Sequence, residues 1–305
     1  MGIDAFHPDL RTVARWLPRA AVGRRTLRPA RMLTRLMSAI PARGVTIEKL
    51  GPISVRMHRS QSNDQPLPAL LWIHGGGYVI GTAAQDDAVC RYFAGKLGMV
   101  VAAVDYRLAP EHQFPVPLQD CYDALTWLAR QPFVDASRIA VGGASAGGGL
   151  AAALALLVRE RGEIEIVFQL LTYPMLDDRT ATRIGVDESH FRLWNNEANR
   201  FGWESYTGRA PGSVDISELA APARHANLSG LPPAWIGVGT LDLFYDEDVA
   251  YAERLGEAGV KCELEVIEGA YHGFDVTQPK AAVSRALRAA QAQALATALG
   301  CTPAA

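Results

Sequence analysis

Short apolar runs, each about the length of a β-strand, are the feature that most restricts how this chain can fold. They lie at 69–73, 99–104, 138–142, 166–171 and 234–239. Strands buried on both faces have this composition and are typical of parallel sheets. Helical patterns separate the runs, at 86–98, 118–130, 147–161, 247–258 and 281–298. This alternation predicts an α/β fold in which right-handed crossover helices cover both faces of a sheet.

Two further runs, at 53–57 and 262–267, alternate apolar and polar residues, which predicts strands that are only half buried. The whole chain has 305 residues, of which 49% are hydrophobic and 20% charged, so it can bury a large core in one domain or in two. Its net charge of −2 gives no reason to expect a polyanionic partner, and no zinc-finger or RNA-binding motif occurs. These features argue against nucleic-acid binding.

The four cysteines, Cys90, Cys121, Cys262 and Cys301, show no C-x-x-C spacing. The first residues lack the apolar core of a secretory signal, and no apolar run approaches the roughly 18 to 20 residues of a membrane-spanning helix. We therefore expect free thiols in a reducing compartment and a cytoplasmic protein.

The N-terminal segment is strongly basic. Between Asp9 and Glu48 there is no acidic residue, whereas arginines occupy positions 11, 15, 19, 24, 25, 28, 31, 35 and 43. Apolar residues recur at helical spacing among them, namely Leu33, Leu36, Met37 and Ile40. The favoured interpretation is a surface helix that packs its apolar face on the protein body. The alternative is a basic amphipathic helix that lies on an anionic membrane.

Two segments do not fit the strand and helix alternation, and we expect them to form a cap over one end of the sheet. One is the arginine-rich N-terminus, and the other contains the aromatic residues Phe191, Trp194, Phe201, Trp203 and Tyr206. Those aromatics line an apolar pocket or form the core of the cap. The expected boundaries are 1–45 for the N-terminal cap helices, 46–176 and 222–305 for the two parts of the core that contains the sheet, and 177–221 for the cap insertion.

A G-x-S-x-G pattern, Gly143 to Gly147, follows one of the buried strands directly and precedes a helix. Glycines two residues before and after the serine allow a tight strand-to-helix turn that exposes the serine side chain. Ser145 is therefore a candidate nucleophile. The alternative, a phosphate-binding loop, is disfavoured because no lysine follows the glycines and the spacing is not G-x-G-x-x-G.

A serine nucleophile needs a base, and the base needs a carboxylate. His272 lies in a glycine-flanked loop just after the run 262–267, whereas His225 lies among alanines and is expected at the surface or in packing. Asp242 directly follows the run 234–239. Its competitors Asp246, Glu247 and Asp248 fall where a helix should begin, a position that the helix dipole already explains.

The tetrahedral intermediate of acyl transfer also needs hydrogen-bond donors. His74-Gly75-Gly76-Gly77 follows a buried strand without a gap, and glycine N–H groups can approach a substrate closely. The N–H of Ala146, directly after the candidate nucleophile, would be a further donor. A flexible hinge is the weaker interpretation of this glycine loop.

Four motifs together resemble the hormone-sensitive-lipase-like branch of the α/β-hydrolases, the bacterial family IV carboxylesterases. They are HGGG at 74–77, DYRLAPEHQFP at 105–115, GGASAGG at 142–148 with the downstream Asp242, and HGF at 272–274. The resemblance implies an α/β-hydrolase fold, with an eight-stranded, mostly parallel sheet, helices on both faces and a helical cap. It also implies a bracing role for His74. The site residues that it implies are Ser145 as nucleophile, Asp242 as acid, His272 as base, and Gly76, Gly77 and Ala146 as oxyanion donors.

The resemblance implies hydrolysis of carboxylic esters with short to medium acyl chains, without a cofactor or metal. Two alternatives stay open: a lipase that acts at a lipid interface, and a non-catalytic ligand-binding protein such as the plant gibberellin receptors, which resemble this family but lack the catalytic histidine. The expected partner is a small-molecule or lipid ester. Two further partners stay open: a membrane surface touched by the basic N-terminal segment, and a second copy in a homodimer.

Overall fold

The computed structural model describes residues 2–38, 44–59 and 65–304. Within these ranges, eight strands form a single sheet. The strands are β1 Val45–Leu50, β2 Ile53–Arg59, β3 Leu67–Ile73, β4 Val100–Asp105, β5 Val134–Ala144, β6 Phe168–Thr172, β7 Ala234–Leu241 and β8 Cys262–Tyr271. Their spatial order is β1-β2-β4-β3-β5-β6-β7-β8. β2 pairs antiparallel with β1 and β4, and the other pairs are parallel.

Helices cover both faces of the sheet. They are α1 Arg11–Ala14, α2 Leu27–Ser38, α3 Asp87–Leu97, α4 Val116–Ala129, α5 Ala146–Arg161, α6 Asn196–Thr207, α7 Tyr245–Glu257, α8 Phe274–Thr277 and α9 Ala282–Leu299. One hydrophobic cluster joins the sheet to α4, α5 and α7, and a second joins it to α3 and α9. The α/β fold and the eight-stranded, mostly parallel sheet are thus confirmed.

The apolar runs predicted five of the strands to within a few residues at each end, but β1 was not apparent from the residue pattern. Its residues from Thr46 to Lys49 are exposed. Because β1 is an edge strand that pairs only with β2 in the described sheet, it buries too little surface to carry an apolar signature. The resemblance, not the periodicity, supplied the eighth strand.

The expected burial of the apolar face of α2 is wrong for its described side chains. Met32, Leu33 and Leu36 are 65%, 59% and 59% exposed. The residue that anchors α2 to the body is instead Arg31, whose Nε donates to the Val79 carbonyl at 2.7 Å. Arginine can bury its stem and satisfy its guanidinium on backbone carbonyls, so here the charged residue faces inward. The side chain of Met37 and all of Ile40 lie outside the described residues.

The 61-residue connection between β6 and β7, residues 173–233, contains α6 and lies against the N-terminal segment. Leu193 N–H donates to the Pro18 carbonyl at 2.9 Å, and Ala21 N–H donates to the Leu193 carbonyl at 2.8 Å. These bonds join the two segments that fell outside the strand and helix alternation. In the described ranges, no helix has both the length and the apolarity needed to cross a membrane.

Candidate active site

Ser145 occupies the turn between β5 and α5 in a strained backbone conformation, with φ 57° and ψ −124°. The turn needs glycine on both sides. A Cβ at Gly143 would overlap backbone atoms of Gly147 and Ile73, and a Cβ at Gly147 would overlap backbone atoms of Ile73. The Ser145 N–H donates to the Thr172 carbonyl at the end of β6, at 2.9 Å. These contacts hold a costly conformation that presents the Ser145 hydroxyl at the carboxyl end of the sheet.

Ser145, His272 and Asp242 form one hydrogen-bonded row. His272 Nε2 lies 2.9 Å from Ser145 Oγ, and His272 Nδ1 lies 2.8 Å from Asp242 Oδ2. Asp242 Oδ1 accepts from the Phe244 N–H at 3.0 Å. Nδ1 therefore carries the proton donated to the carboxylate, which leaves Nε2 free to accept a proton from the serine hydroxyl. All three side chains are buried.

Aromatic rings enclose the His272 imidazole. The ring centroids of Tyr173, Phe244 and Trp194 lie 4.7, 5.2 and 6.5 Å from it. The Tyr173 hydroxyl donates to Asp275 Oδ1 at 2.6 Å, and burial raises the pKa of that carboxyl. Packing thus restricts the imidazole to the orientation in which it reaches both serine and aspartate.

Sequence reasoning missed Tyr173 and Phe244 as neighbours of the base. Their signal was available, since Tyr173 follows β6 and Phe244 follows β7 at the carboxyl ends of these strands, where ligands bind in such sheets. Trp194 was noted only as one aromatic of the expected cap. Only tertiary structure separates it from its neighbours Trp203 and Tyr206, which are fully buried.

The glycine loop after β3 approaches the candidate nucleophile closely. A Cβ at Gly75 would lie 2.8 Å from the Ala144 carbonyl oxygen and 3.3 Å from Ser145 Cβ. Gly76 and Gly77 have φ values of 125° and 57°, a region that side chains disfavour. The three-glycine run is therefore required both by close approach and by backbone conformation.

Three backbone N–H groups of this region can bind a ligand oxygen. Ala146 is the first residue of α5, so its N–H has no partner within the helix. Across residues 2–38, 44–59 and 65–304, no hydrogen bond from the N–H of Gly76, Gly77 or Ala146 occurs. Free backbone donors in loops that border a serine nucleophile are suited to a negatively charged oxygen.

His74 lies behind the glycine loop. Its Nδ1 donates to the Gly75 carbonyl at 2.8 Å, and its ring stacks on Tyr106 with 4.2 Å between centroids. The Tyr106 hydroxyl donates to the His74 carbonyl at 3.0 Å. Burial lowers the pKa of His74, which favours the neutral ring. These contacts are consistent with a bracing role.

Within the described residues, the other candidates form no hydrogen bond with the side chains of the row. His225 Nε2 lies 3.3 Å from Glu160 Oε1. Asp246 pairs with Arg183 at 2.7 Å. Glu247 is buried and accepts from the Leu176 and Asp177 N–H groups, so the helix dipole explains its position only in part. The described residues contain no cluster of three or more His, Cys, Asp or Glu side chains placed to hold a metal ion.

Comparisons with known proteins agree with the fold described above. The profile of a family described as the alpha/beta hydrolase fold matches residues 70–276. Esterase LipI of Mycobacterium tuberculosis is 36% identical over 234 residues, which cover 73% of this chain and 71% of LipI. Ethyl acetate hydrolase of Pseudomonas putida is 36% identical over 231 residues, which cover 73% of this chain and 71% of that protein.

Solved structures give the same result. A bacterial heroin esterase superposes with a TM-score of 0.88 at 38% identity, covering 97% of this chain and 99% of that protein. Esterase LipW of Mycobacterium marinum superposes with a TM-score of 0.85 at 34% identity, covering 97% of each chain. This chain belongs to the α/β-hydrolase family, in the hormone-sensitive-lipase-like branch that its motifs resemble.

Proposed function

We propose that the protein is a serine carboxylesterase that hydrolyses small carboxylic esters through an acyl-enzyme on Ser145. The observation that carries this proposal is the row from Ser145 Oγ through His272 to Asp242, with distances of 2.9 and 2.8 Å. Its similarity to esterases along most of the chain supports the same reaction. Short to medium acyl chains are the expected substrates.

In the first half of the reaction, His272 Nε2 takes the hydroxyl proton of Ser145 while Oγ attacks the ester carbonyl carbon. The carbonyl π electrons move to the oxygen, and the N–H groups of Gly76, Gly77 and Ala146 stabilise that oxyanion. Asp242 stabilises the imidazolium that forms. Collapse of the intermediate breaks the bond to the alkoxide, which leaves as the alcohol after taking the proton from Nε2.

In the second half, a water molecule gives a proton to His272 Nε2 and its oxygen attacks the acyl carbon. The same three N–H groups receive the negative charge again. Collapse then breaks the bond from the acyl carbon to Ser145 Oγ, which recovers its proton from Nε2. The carboxylic acid is released, and no group beyond the protein and water takes part.

The test is hydrolysis of p-nitrophenyl butyrate by the wild-type chain and by Ser145→Ala. We expect the variant to lose at least about 10³-fold in kcat, since loss of a triad member removes most of the catalytic effect. Near wild-type turnover by Ser145→Ala would refute the assignment. Binding of an ester one-to-one without hydrolysis would favour the ligand-binding alternative instead, although His272, which the receptors lack, argues for turnover.

A second candidate is a lipase that acts at a lipid interface, and the exposed residues Met32, Leu33 and Leu36 favour it. They project from α2, which also carries the exposed arginines Arg28 and Arg35. We propose that this basic N-terminal segment makes peripheral contact with anionic membranes. Measuring rate against triacylglycerol concentration decides, because an interfacial enzyme accelerates where the substrate aggregates.

The remaining proposals concern organisation. Residues 1–45 and 177–221 form a cap on a core made of 46–176 and 222–305. A homodimer would pair β8, which has one strand neighbour in the described sheet and offers a free edge to a second copy. Light scattering after gel filtration measures the mass that a dimer requires.

A cytoplasmic location fits the four cysteines, which all lie within the described part of the chain and are all free thiols.

A further inference from the structure

Trp194 is the aromatic side chain of the β6–β7 connection that reaches both the glycine loop and the base. Its ring fills the space beside Gly77 so closely that a Cβ there would overlap ring atoms. Its ring centroid is 6.5 Å from that of His272. Trp203 and Tyr206, which follow in α6, pack around Tyr78 in the core instead. Trp194 therefore occupies a place beside the reacting groups that its aromatic neighbours do not.

The backbone before Trp194 is held on both sides. Leu193 adopts a left-handed conformation with φ 66°. Its N–H and its carbonyl bond to Pro18 and Ala21 of the N-terminal segment at 2.9 and 2.8 Å. A residue remains in this disfavoured region only where the surrounding structure determines it, so Leu193 and Trp194 are fixed in place.

Leu193 lies on the same side of the base. Its Cδ1 would be 3.2 Å from a Cβ placed at Gly273, the residue that follows His272. Together, Leu193 and Trp194 form an apolar surface that borders the imidazole and the nearer oxyanion donor, Gly77. We call this surface the Leu193–Trp194 wall.

The chemistry of the intermediate decides which part of the ester meets the wall. The oxyanion points to the N–H groups of Gly76, Gly77 and Ala146. The alkoxide oxygen must lie within hydrogen-bond reach of His272 Nε2, because that atom protonates it. The acyl chain takes the direction that remains. A surface that borders both Gly77 and His272 thus lies nearer the alcohol than the acyl chain.

We propose that the Leu193–Trp194 wall limits the size of the alcohol that the enzyme accepts, and that Trp194 is the main specificity-determining residue for the leaving group. This rests on the proposed ester hydrolysis at Ser145. The wall is rigid, apolar and close to the point where the alkoxide leaves. It therefore selects compact, apolar alcohols over branched or cyclic ones and leaves acyl-chain preference to other surfaces.

The test uses two ester series with the wild type and with Trp194→Ala. One series keeps the butyryl group and changes the alcohol from ethyl to isopropyl to cyclohexyl. All three esters form the same acyl-enzyme. Because kcat/KM covers only the steps up to formation of the acyl-enzyme, differences in kcat/KM within this series report on the alcohol. The second series keeps p-nitrophenol and lengthens the acyl group from acetyl to octanoyl.

For Trp194→Ala we expect the cyclohexyl-to-ethyl ratio of kcat/KM to rise about tenfold, the scale of discrimination that apolar pockets provide. Acyl-chain preference should stay within about twofold of the wild type. Trp194→Phe, which keeps an aromatic ring of smaller area, should shift the alcohol ratio in the same direction by less. It also keeps the test available if the alanine variant fails to fold.

Trp203→Phe is the matched control, because Trp203 belongs to the same connection but packs on Tyr78. It should leave the alcohol ratio unchanged. A change in acyl preference with a constant alcohol ratio would overturn the proposal. So would an equal loss of kcat/KM for every ester, which would make Trp194 only a support for the glycine loop. If the wild type hydrolyses no ester in either series, the proposed function itself fails.

Discussion

At the scale of single residues, the site depends on backbone that only glycine allows. Gly143 and Gly147 let the turn place Ser145 at φ 57°, and Gly76 and Gly77 of the neighbouring loop adopt φ values of 125° and 57°. Each conformation carries a cost of order 1–3 kcal/mol for a residue with a side chain. In the proposed mechanism, the glycine loop supplies donors that are oriented before the charge develops.

Gly77→Ala tests this orientation. A Cβ at Gly77 would overlap the Trp194 ring and would have to exist at φ 57°, so the loop must move. Loss of one oxyanion donor typically lowers kcat by about 10²–10³, and we expect a fall of that order with KM changed by less than about threefold. Steady-state kinetics on p-nitrophenyl butyrate measures both.

The control is Gly95→Ala in α3, where the added Cβ would meet no described atom within 4 Å beyond its chain neighbours and the nearby backbone of its own helix. Alanine is favoured over glycine in a helix by roughly 1 kcal/mol, so this variant should keep full activity and unfold at a slightly higher temperature. A parallel loss of kcat and of substrate binding in Gly77→Ala would argue against a donor that acts in the transition state.

The buried carboxyl of Asp86 gives stability a pH dependence. It accepts a hydrogen bond from Trp72 Nε1 at 2.8 Å, and burial raises its pKa to about 7. The folded state therefore keeps a proton on Asp86 up to about pH 7. The unfolded chain releases that proton near pH 3.8, the ordinary pKa of an aspartate carboxyl. Stability from this group is complete below about pH 4, falls as pH rises towards 7 and is constant above that.

Asp86→Asn removes the titration but can still accept from Trp72. Urea unfolding of both proteins at about pH 5 and about pH 8 should show a smaller loss of free energy of unfolding in the variant. The difference should be on the order of 1 kcal/mol or more, since one proton contributes about 1.4 kcal/mol per pH unit. Equal losses in the two proteins would show that Asp86 is ionised when folded.

At the scale of elements, the residue pattern predicted the strands and helices whose burial follows a regular pattern along the sequence. The runs at 69–73 and 234–239 became β3 and β7 because both faces of these strands are covered. The motifs after β3, β5, β7 and β8 met at one edge of the sheet, as the carboxyl ends of parallel strands must. The order and spacing of these motifs along the chain therefore predicted that Ser145, Asp242 and His272 lie close together.

What the pattern could not predict depends on partners far away in the chain. β1 is exposed, so it has no apolar period to detect. α2 has the period, but its orientation is set by Arg31, which reaches the carbonyl of Val79 and pairs with Glu111. An amphipathic pattern states which residues share a face, not which face meets the body. The place of Trp194 beside Gly77 and His272 likewise depends on tertiary contacts, among them the bonds of Leu193 to the N-terminal segment.

Arg31→Ala should loosen the attachment of α2. Its guanidinium bonds to the carbonyls of Val79 and Ala109 and to Glu111, and the Val79 N–H bonds to the Gly76 carbonyl in the glycine loop. Loss of charge-assisted hydrogen bonds costs about 1.5–3 kcal/mol, and we expect a lower melting temperature with a fall of several-fold in kcat. Thermal unfolding and p-nitrophenyl butyrate kinetics measure these effects.

Arg35→Ala is the comparison within the same helix, since Arg35 is exposed. It should leave the melting temperature and kcat near their wild-type values. If the two variants behave alike, α2 is attached by contacts other than the Arg31 guanidinium.

At the scale of the whole molecule, distant parts of the chain converge on the base. Phe6 is buried and packs edge-on against Tyr271, which precedes His272, with 6.0 Å between ring centroids. It also packs on His190 at 5.5 Å and lies under the Arg192 guanidinium at 4.7 Å, both in the β6–β7 connection. The N-terminus, the β6–β7 connection and the loop that carries His272 therefore pack against one another. A substitution that disrupts the packing of the N-terminus should also affect the His272 loop.

Phe6→Ala tests that coupling against Ile3→Ala, a neighbour that is 40% exposed. Removal of a buried phenylalanine side chain typically costs about 3–5 kcal/mol, and the cavity would lie directly behind the strand end that carries His272. We expect a large fall in the free energy of unfolding, faster hydrogen exchange at residues 269–273, and a kcat reduced more than KM. Ile3→Ala should change none of these measurably. Faster exchange limited to the first residues, with kcat intact, would mean that the N-terminus packs on the site without holding it.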